Sequence, residues 1–463
     1  MRNIHRMACT RPGNSRINNN ALTCASVGTW YTIAVLDPYN QPQPQKTFPD
    51  GMTYNFELFW RLTVRSILGP QNASSSLEPK RVRFLVLFFC LWPGFALLTR
   101  FFFWLDDALF PAYKHQPVEK PLFIMGNFRS GSTFLHRLLS RDNSTFTSLR
   151  TWDIFFTPTI TQRKMFRVLT RIDSLLGSPL VNWLNTIDQR SVAQWDIHKV
   201  SLFEPEEDEN IMLHAWSTFF VSVFFPYLDD LPPYQFFDTA LDASEKDRLM
   251  RFYRDCVKRH LYAIGGKRYF VSKNPAFSAK IETLREFFPD ARIIYLARNP
   301  LDMLPSTISL LNYYWAMFNT PQEKYIFCDT VLALTKYWYH HPLEYLDAHP
   351  SPFQMVIRFD DLIGDPETVI RRFLAQFGYP IADQLTQIVH QAQADAIAHR
   401  SNHHYDYTEM DFTREEIVSE FEPIFDRFGF DRREPVQKPG LSITPSDLQQ
   451  IERTGREPSP ACS

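Results

Sequence analysis

The stretch IMGNFRSGSTFL, Ile124 to Leu135, closes an apolar run and opens a helical pattern. A glycine-bearing turn at such a place aims several backbone N–H groups and the positive end of a helix dipole at one point, which is how chains hold anions. The stretch departs from the triphosphate-binding motif G-x-x-x-x-G-K-[ST], because Ser132 stands where the lysine belongs. Its cation is Arg129, and hydroxyls follow Gly131 at Ser132 and Thr133, a set suited to a smaller anion held without metal. A second group lies in RIIYLARNPLDMLPSTISL, where a strand pattern ends at Arg298, a turn follows at Asn299-Pro300, and Ser306 falls in the first turns of the next helix. Both side chains can then face one phosphate beyond the carboxyl ends of parallel strands. Each piece alone also fits a plain structural reading: a tight strand-to-helix turn, and an arginine paired with a nearby carboxylate. MVIRFDD, ending in Asp360-Asp361, leaves room for a magnesium-dependent P-loop kinase or NTP hydrolase, and a catalytically inactive nucleotide-binding membrane protein is the non-enzyme alternative.

Taken together, Arg129-Ser130-Gly131-Ser132-Thr133 and Arg298, Pro300, Ser306 resemble the two donor-binding motifs of the sulfotransferase family. The nearest likeness is to its RSGTT branch, which includes the protein-tyrosine sulfotransferases, and it covers roughly residues 122–430. SKNP, with Lys273, and RFDDLIGDP look like that branch as well. The resemblance implies a P-loop-like α/β fold and a co-substrate, 3′-phosphoadenosine 5′-phosphosulfate (PAPS). Its phosphosulfate would lie on Arg129, Ser130, Gly131, Ser132 and Thr133, and its 3′-phosphate on Arg298 and Ser306. Arg129 and Lys273 would stabilise charge during in-line transfer to a hydroxyl, no metal being expected. An alcohol needs a base. Asp153 in RTWD lies near where related members carry a catalytic glutamate, although it is shorter and a few residues later; Glu206 or Glu207, within the run Glu204 to Glu209, is the other candidate. That acidic run also fits a solvated helix N-terminus. His399, His403 and His404 are only loosely spaced as metal ligands, and His136, on the polar side of its helix pattern, is expected to be solvated.

The elements that must position these residues can be read from pattern. PLFIMG, RYFVS, RIIYLA and QMVIRF are short buried-strand runs separated by helical stretches, so they predict βαβ units and a central parallel sheet flanked by helices. Between them, Ser244 and Asp247 suggest a capping box for a helix ending at Gly265-Gly266, FSAKIETLREFF reads as one helix, and Asp365-Pro366 opens a helix closing near Gly378. Lysine plus arginine (49) balances aspartate plus glutamate (51), so no global field recruits nucleic acid. Six scattered cysteines argue against a disulfide framework or structural zinc.

Ahead of the sheet, FLVLFFCLWPGFALLT (Phe84 to Thr99) has no charge, follows Lys80, Arg81 and Arg83, and precedes Arg100 and FFFWL. A bilayer core asks for about 20 apolar residues, so the segment over 84–105 predicts a membrane-associated helix, kinked or turned back at Pro93-Gly94; a buried core helix is the alternative. If it spans once, the basic flank places the N-terminus in the cytoplasm and the main domain in the ER or Golgi lumen. The sequons at Asn72 and Asn143 flank it and do not decide between orientations. The expected organisation is a disordered or targeting tail over 1–51, a helical region over 52–117, a sulfotransferase domain over 118–432 and a mobile tail over 433–463. The aromatic-rich Ile211 to Leu228 and FFFWL point to a hydroxyl-bearing lipid, glycan or other amphipathic acceptor near a membrane.

Overall fold

A computed structural model describes residues 54–68, 76–194, 201–320, 325, 327–398, 410 and 412–433. The expected tail over 1–51, all but Arg433 of the expected tail over 433–463, the sequon at Asn72, and His399, His403 and His404 lie outside the described residues. Five strands form one sheet: β1 (Leu122–Gly126), β2 (Phe146–Thr147), β3 (Tyr269–Lys273), β4 (Arg292–Ala297) and β5 (Gln354–Arg358). All pair in parallel, in the order β2-β3-β1-β4-β5. β1 and β4 are buried at every residue, the continuous apolar run expected of strands covered on both faces. β2 has only two residues, too few for a period-2 signal, and its place at the sheet edge was not legible in the sequence.

The order matters for function. From β1 the chain goes to the edge, returns as β3 beside β1, then crosses to β4 on the other side, so β1 sits at the topological switch point where open α/β sheets bind ligands. Ile124 pairs with Lys273 and Gly126 with Leu296. The carboxyl ends of β3, β1 and β4 are therefore neighbours, spread over about 10 Å given the usual spacing between strands.

Local expectations were met with instructive exceptions. The helix Ala243–Ile264 does end at a left-handed Gly265, but its N-cap is Asp242, whose carboxylate accepts from the Glu245 amide at 2.9 Å. Ser244 donates to that same aspartate and Asp247 pairs with Arg251, so neither belongs to a capping box. FSAKIETLREFF splits into a 3-10 turn, Pro275–Lys280, and a helix, Ile281–Phe287. The break falls where the Asp238 carboxylate takes the amides of Glu282 and Thr283, at 2.9 and 3.2 Å. Asp365 caps the helix Pro366–Phe377, which closes at Gly378 as its sequence predicts.

Two helices precede the sheet, α1 (Phe56–Leu68) and α2 (Pro79–Leu109). α2 runs unbroken through Pro93, which lies with Gly94 on an exposed side, so no turn or hairpin forms there. It is long and apolar enough to cross a bilayer, at about 46 Å. One stripe of it, Arg81, Leu85, Phe88, Ala96, Thr99 and Asp106, is nevertheless buried against the rest of the protein from end to end. Both ends are locked by polar contacts. Arg81 donates to the carbonyls of Phe224 and Phe318 at 2.9 and 3.1 Å, and the fully buried Asp106 accepts from the amides of Ile160 and Thr161 at 2.6 and 2.8 Å. Trp216, at the heart of Ile211–Leu228, packs against Tyr54 and Phe59 and against Phe88 and Trp92 of α2. The aromatic segment is thus core rather than pocket. Cys90 and Cys256 are free thiols.

Candidate active site

The loop after β1 makes its turn by alternating handedness: Arg129 has φ 61° and Gly131 φ 90°. α3 (Ser132–Arg141) starts directly after it, with Gly131 as N-cap and no acidic residue in its first turn. Gly131 is required twice over, by its backbone angle and because a Cβ there would lie 2.4 Å from the Phe359 ring. Gly126, at the end of β1, is similarly enclosed, a Cβ falling 2.4 Å from the Leu296 carbonyl oxygen. Ser278 ties the same glycine down, accepting from its amide at 3.2 Å and donating to its carbonyl at 3.0 Å.

The two sequence motifs meet. Arg129 Nε donates to Ser306 Oγ at 3.0 Å, and Arg298 Nη1 donates to the Arg129 carbonyl at 2.7 Å. Ser306 is buried in the second turn of the helix Pro300–Phe318, capped by Asn299. Arg298 lies 4.4 Å over the ring of Phe359, and its own carbonyl accepts from the Tyr339 hydroxyl. Ser130 Oγ is buried with no hydrogen-bond partner among the described residues, as is Arg298 Nε. Buried donors left in this state beside a helix N-terminus are the residue set that an anionic ligand completes.

Lys273 closes β3 with its side chain 1% exposed, its Nζ 2.7 Å from Glu207 and 4.0 Å from Glu206. The acidic run is not a solvated helix end. Asp208 and Glu209 are buried, Glu207 is partly so, and each of the three has its own partner. Glu207 takes Lys273; Asp208 accepts from Ser272 Oγ at 2.8 Å and from the Tyr253 hydroxyl; Glu209 accepts from Thr218 Oγ1 at 2.7 Å and pairs with Lys280 at 2.6 Å. Burial raises the Glu207 pKa, Glu206 adds to this, and Lys273 opposes it. Tyr314, on the Ser306 helix, has its phenol pushed up by burial and then by Glu206 and Glu207, while Arg129 pulls it down.

Burial, which outweighs the hydrogen bonds from Tyr253 and Ser272, pushes Asp208 up to about 7. The folded chain therefore keeps a proton that the unfolded chain releases above about pH 4, so this residue's contribution to stability falls as pH rises from about 4 to 7. Asp208→Asn should make that part of the pH–stability curve shallower, read from urea midpoints across the range. An unchanged slope would show that the carboxyl is ionised in the fold.

Other candidates are placed elsewhere. Asp153 is occupied: its carboxylate accepts from the Arg150 amide at 3.1 Å, closing the first turn of α4 (Thr151–Phe155), and faces Arg163 at 3.5 Å. It lines a cavity that contains none of Arg129, Lys273, Arg298 and Ser306. His136 is not solvated but 1% exposed, and burial followed by the Lys273 and Arg137 charges holds it neutral. Phe359 and Tyr314 were missed. RFDDLIGDP drew attention to the right turn, but nothing local marks its phenylalanine as the floor under Gly131 and Arg298.

A family model described as "Sulfotransferase family" matches residues 121–383. The omega-hydroxy-beta-dihydromenaquinone-9 sulfotransferase Stf3 of Mycobacterium bovis is 26% identical over 332 residues, 68% of this chain and 77% of that protein, and its Mycobacterium tuberculosis counterpart matches equally. Among solved structures, sulfotransferase STF9 from Mycobacterium avium superposes with a TM-score of 0.61 at 19% identity, over 83% of this chain and 99% of that one. Sulfotransferase STF1 from Mycobacterium tuberculosis gives 0.60 at 16%, over 80% and 94%. At such identities these structures speak for the fold.

Proposed function

Because the chain belongs to the sulfotransferase family, we propose that it transfers a sulfuryl group from PAPS to the hydroxyl of a membrane-borne lipid. The observation that carries the donor half is the direct contact of Arg129 with Ser306, which makes the two anion-binding groups one continuous cradle. The loop amides with Ser130, Ser132 and Thr133 bind the phosphosulfate end, and Arg298 with Ser306 binds the 3′-phosphate. PAPS, when bound, supplies the activated sulfuryl group.

Glu207, or Glu206 beside it, is the general base. Glu207 is the better placed, since its raised pKa suits a group that must accept a proton near neutral pH. The acceptor oxygen forms a bond to sulfur, the sulfur–oxygen bond to the 5′-phosphate breaks, the hydroxyl proton passes to Glu207, and adenosine 3′,5′-bisphosphate departs. Lys273 and Arg129 hold the negative charge that develops on the transferred and leaving oxygens. Asp153, engaged with Arg163 and its own helix, is left out of this scheme.

The acceptor half rests on two supports. One relative's name specifies an omega-hydroxylated dihydromenaquinone, an apolar lipid ending in an alcohol. The other is the outer face of the N-terminal helices. Val86, Leu87, Leu91, Leu97, Leu98, Phe101 and Trp104 of α2 are exposed, with Trp60, Val64 and Ile67 of the adjoining α1. A helix pinned along its length to the domain, with its opposite side apolar, suits lying in the plane of a bilayer surface rather than crossing it. The test is labelled-sulfuryl transfer from PAPS to an omega-hydroxylated prenyl quinone carried in vesicles. Label should enter the lipid, and Arg129→Ala should lower the rate by about two orders of magnitude. Hydrolysis of ATP with magnesium and no labelled lipid would refute the reading.

A further inference from the structure

Away from the transfer site, a cavity of about 530 Å³ opens between the end of α3, the segment after β2, and α5 (Ile160–Leu175). Six arginines line it, Arg137, Arg141, Arg150, Arg163, Arg167 and Arg268, against two carboxylates, Asp153 and Glu204. Such an excess of positive charge in a concave site is costly unless an anion balances it.

Arg163 is the informative member. It is 8% exposed, and its Nε is spent on the Thr157 carbonyl at 2.9 Å. Nη1 lies 2.8 Å from His260 Nδ1 and 3.5 Å from Asp153, while Nη2 is buried with no hydrogen-bond partner among the described residues. His260 Nε2 lies 2.8 Å from Thr147 Oγ1. An imidazole that accepts from an arginine at Nδ1 must carry its proton at Nε2 and be neutral, so His260 orients the guanidinium without cancelling its charge. The fold thus uses a histidine, an aspartate and a carbonyl to fix one guanidinium in the cavity wall, and leaves its Nη2 buried without a partner among the described residues. Trp152 and Phe166, 4.6 Å apart, supply an aromatic wall.

We propose that this cavity binds a phosphate or diphosphate group, with Arg163 as its fixed contact and the exposed Arg150 and Arg167 closing on it. A tetrahedral, multiply charged oxyanion can meet several planar guanidinium forks at once, which a single carboxylate cannot, and the volume suits a small phosphorylated molecule. The group could arrive on a soluble compound or on a lipid, since α5, one side of which lines the cavity, exposes Val168, Leu169 and Ile172 elsewhere on its surface. The site shares none of the residues assigned to donor binding and stands whether or not that assignment holds.

The test is calorimetric titration of the full chain with inorganic pyrophosphate. Binding should be present, weakened about tenfold or more in Arg150→Ala/Arg167→Ala, whose side chains leave the core untouched, and retained in Arg129→Ala. Arg163→Gln should abolish it, with a thermal melt reporting whether that variant folds. Absence of binding, or binding lost in Arg129→Ala and indifferent to the Arg150/Arg167 pair, overturns the proposal. Phosphatidylcholine vesicles with and without phosphatidic acid then assign the source. Recruitment by phosphatidic acid that pyrophosphate competes away and the double variant lacks means a lipid headgroup; pyrophosphate binding with no such recruitment means a soluble ligand.

Discussion

Lys273→Met is expected to lower the sulfuryl-transfer rate by about two to three orders of magnitude, the usual consequence of removing one preorganised charge from a site where charge develops. The same change leaves Glu207 buried beside Glu206 without its cation, a loss of about 3 kcal/mol in folding stability for a broken buried pair. The two effects can be separated. Lys273→Met/Glu207→Gln replaces both charges by neutral groups of similar shape, so it should regain most of the stability, read by urea denaturation, and none of the activity. A single variant that turns over at close to the parent rate would mean that Lys273 is a strut for the acidic run and takes no part in transfer.

The second large effect is expected at Gly131. Alanine there would hold a Cβ 2.4 Å from the Phe359 ring at a backbone angle of +90°, and a residue forced into such a region carries about 1–3 kcal/mol of strain. The ring cannot move alone, because the Arg298 guanidinium lies on it. The clash should therefore reach the far end of the cradle, and affinity for adenosine 3′,5′-bisphosphate should drop about tenfold or more, measured by titration. Adding Phe359→Leu would relieve the contact but not the backbone angle, so recovery should be partial. Full affinity in Gly131→Ala would show that the loop adopts another conformation when it binds.

Why some of this could be read in advance, and some not, follows from the range over which each signal acts. That the two segments would meet was legible because both are turns: Arg129 to Thr133, and Arg298 to Ser306, each carry their geometry within a few residues, and the strand pattern puts both at carboxyl ends. The same holds for Asp365-Pro366 and Gly378. The contacts of Asp153 were not legible, because spacing along the chain cannot show that Arg163 and the Arg150 amide lie against its oxygens. His136 misled for a related reason, since a helical pattern distinguishes faces but not what covers the polar one; here β3 and Lys273 lie close by. Burial of the acidic run depended on Lys273, Ser272, Tyr253 and Lys280, all more than forty residues away. Hydropathy could rank α2 as apolar, but a hydrocarbon tail and a Trp216 ring are equivalent to it as surroundings.

That last helix has a practical meaning. With Arg81 holding two distant carbonyls at one end, Asp106 bridging to α5 at the other, and Trp216 roofed by Phe88 and Trp92 between them, the segment ahead of the sheet is a structural beam and not a leash. Cutting the chain at residue 118 would strip Phe88 and Trp92 from Trp216 and leave the buried Arg259 without Asp106 and Asp107. Truncation there is therefore expected to unsettle the fold rather than to trim an appendage.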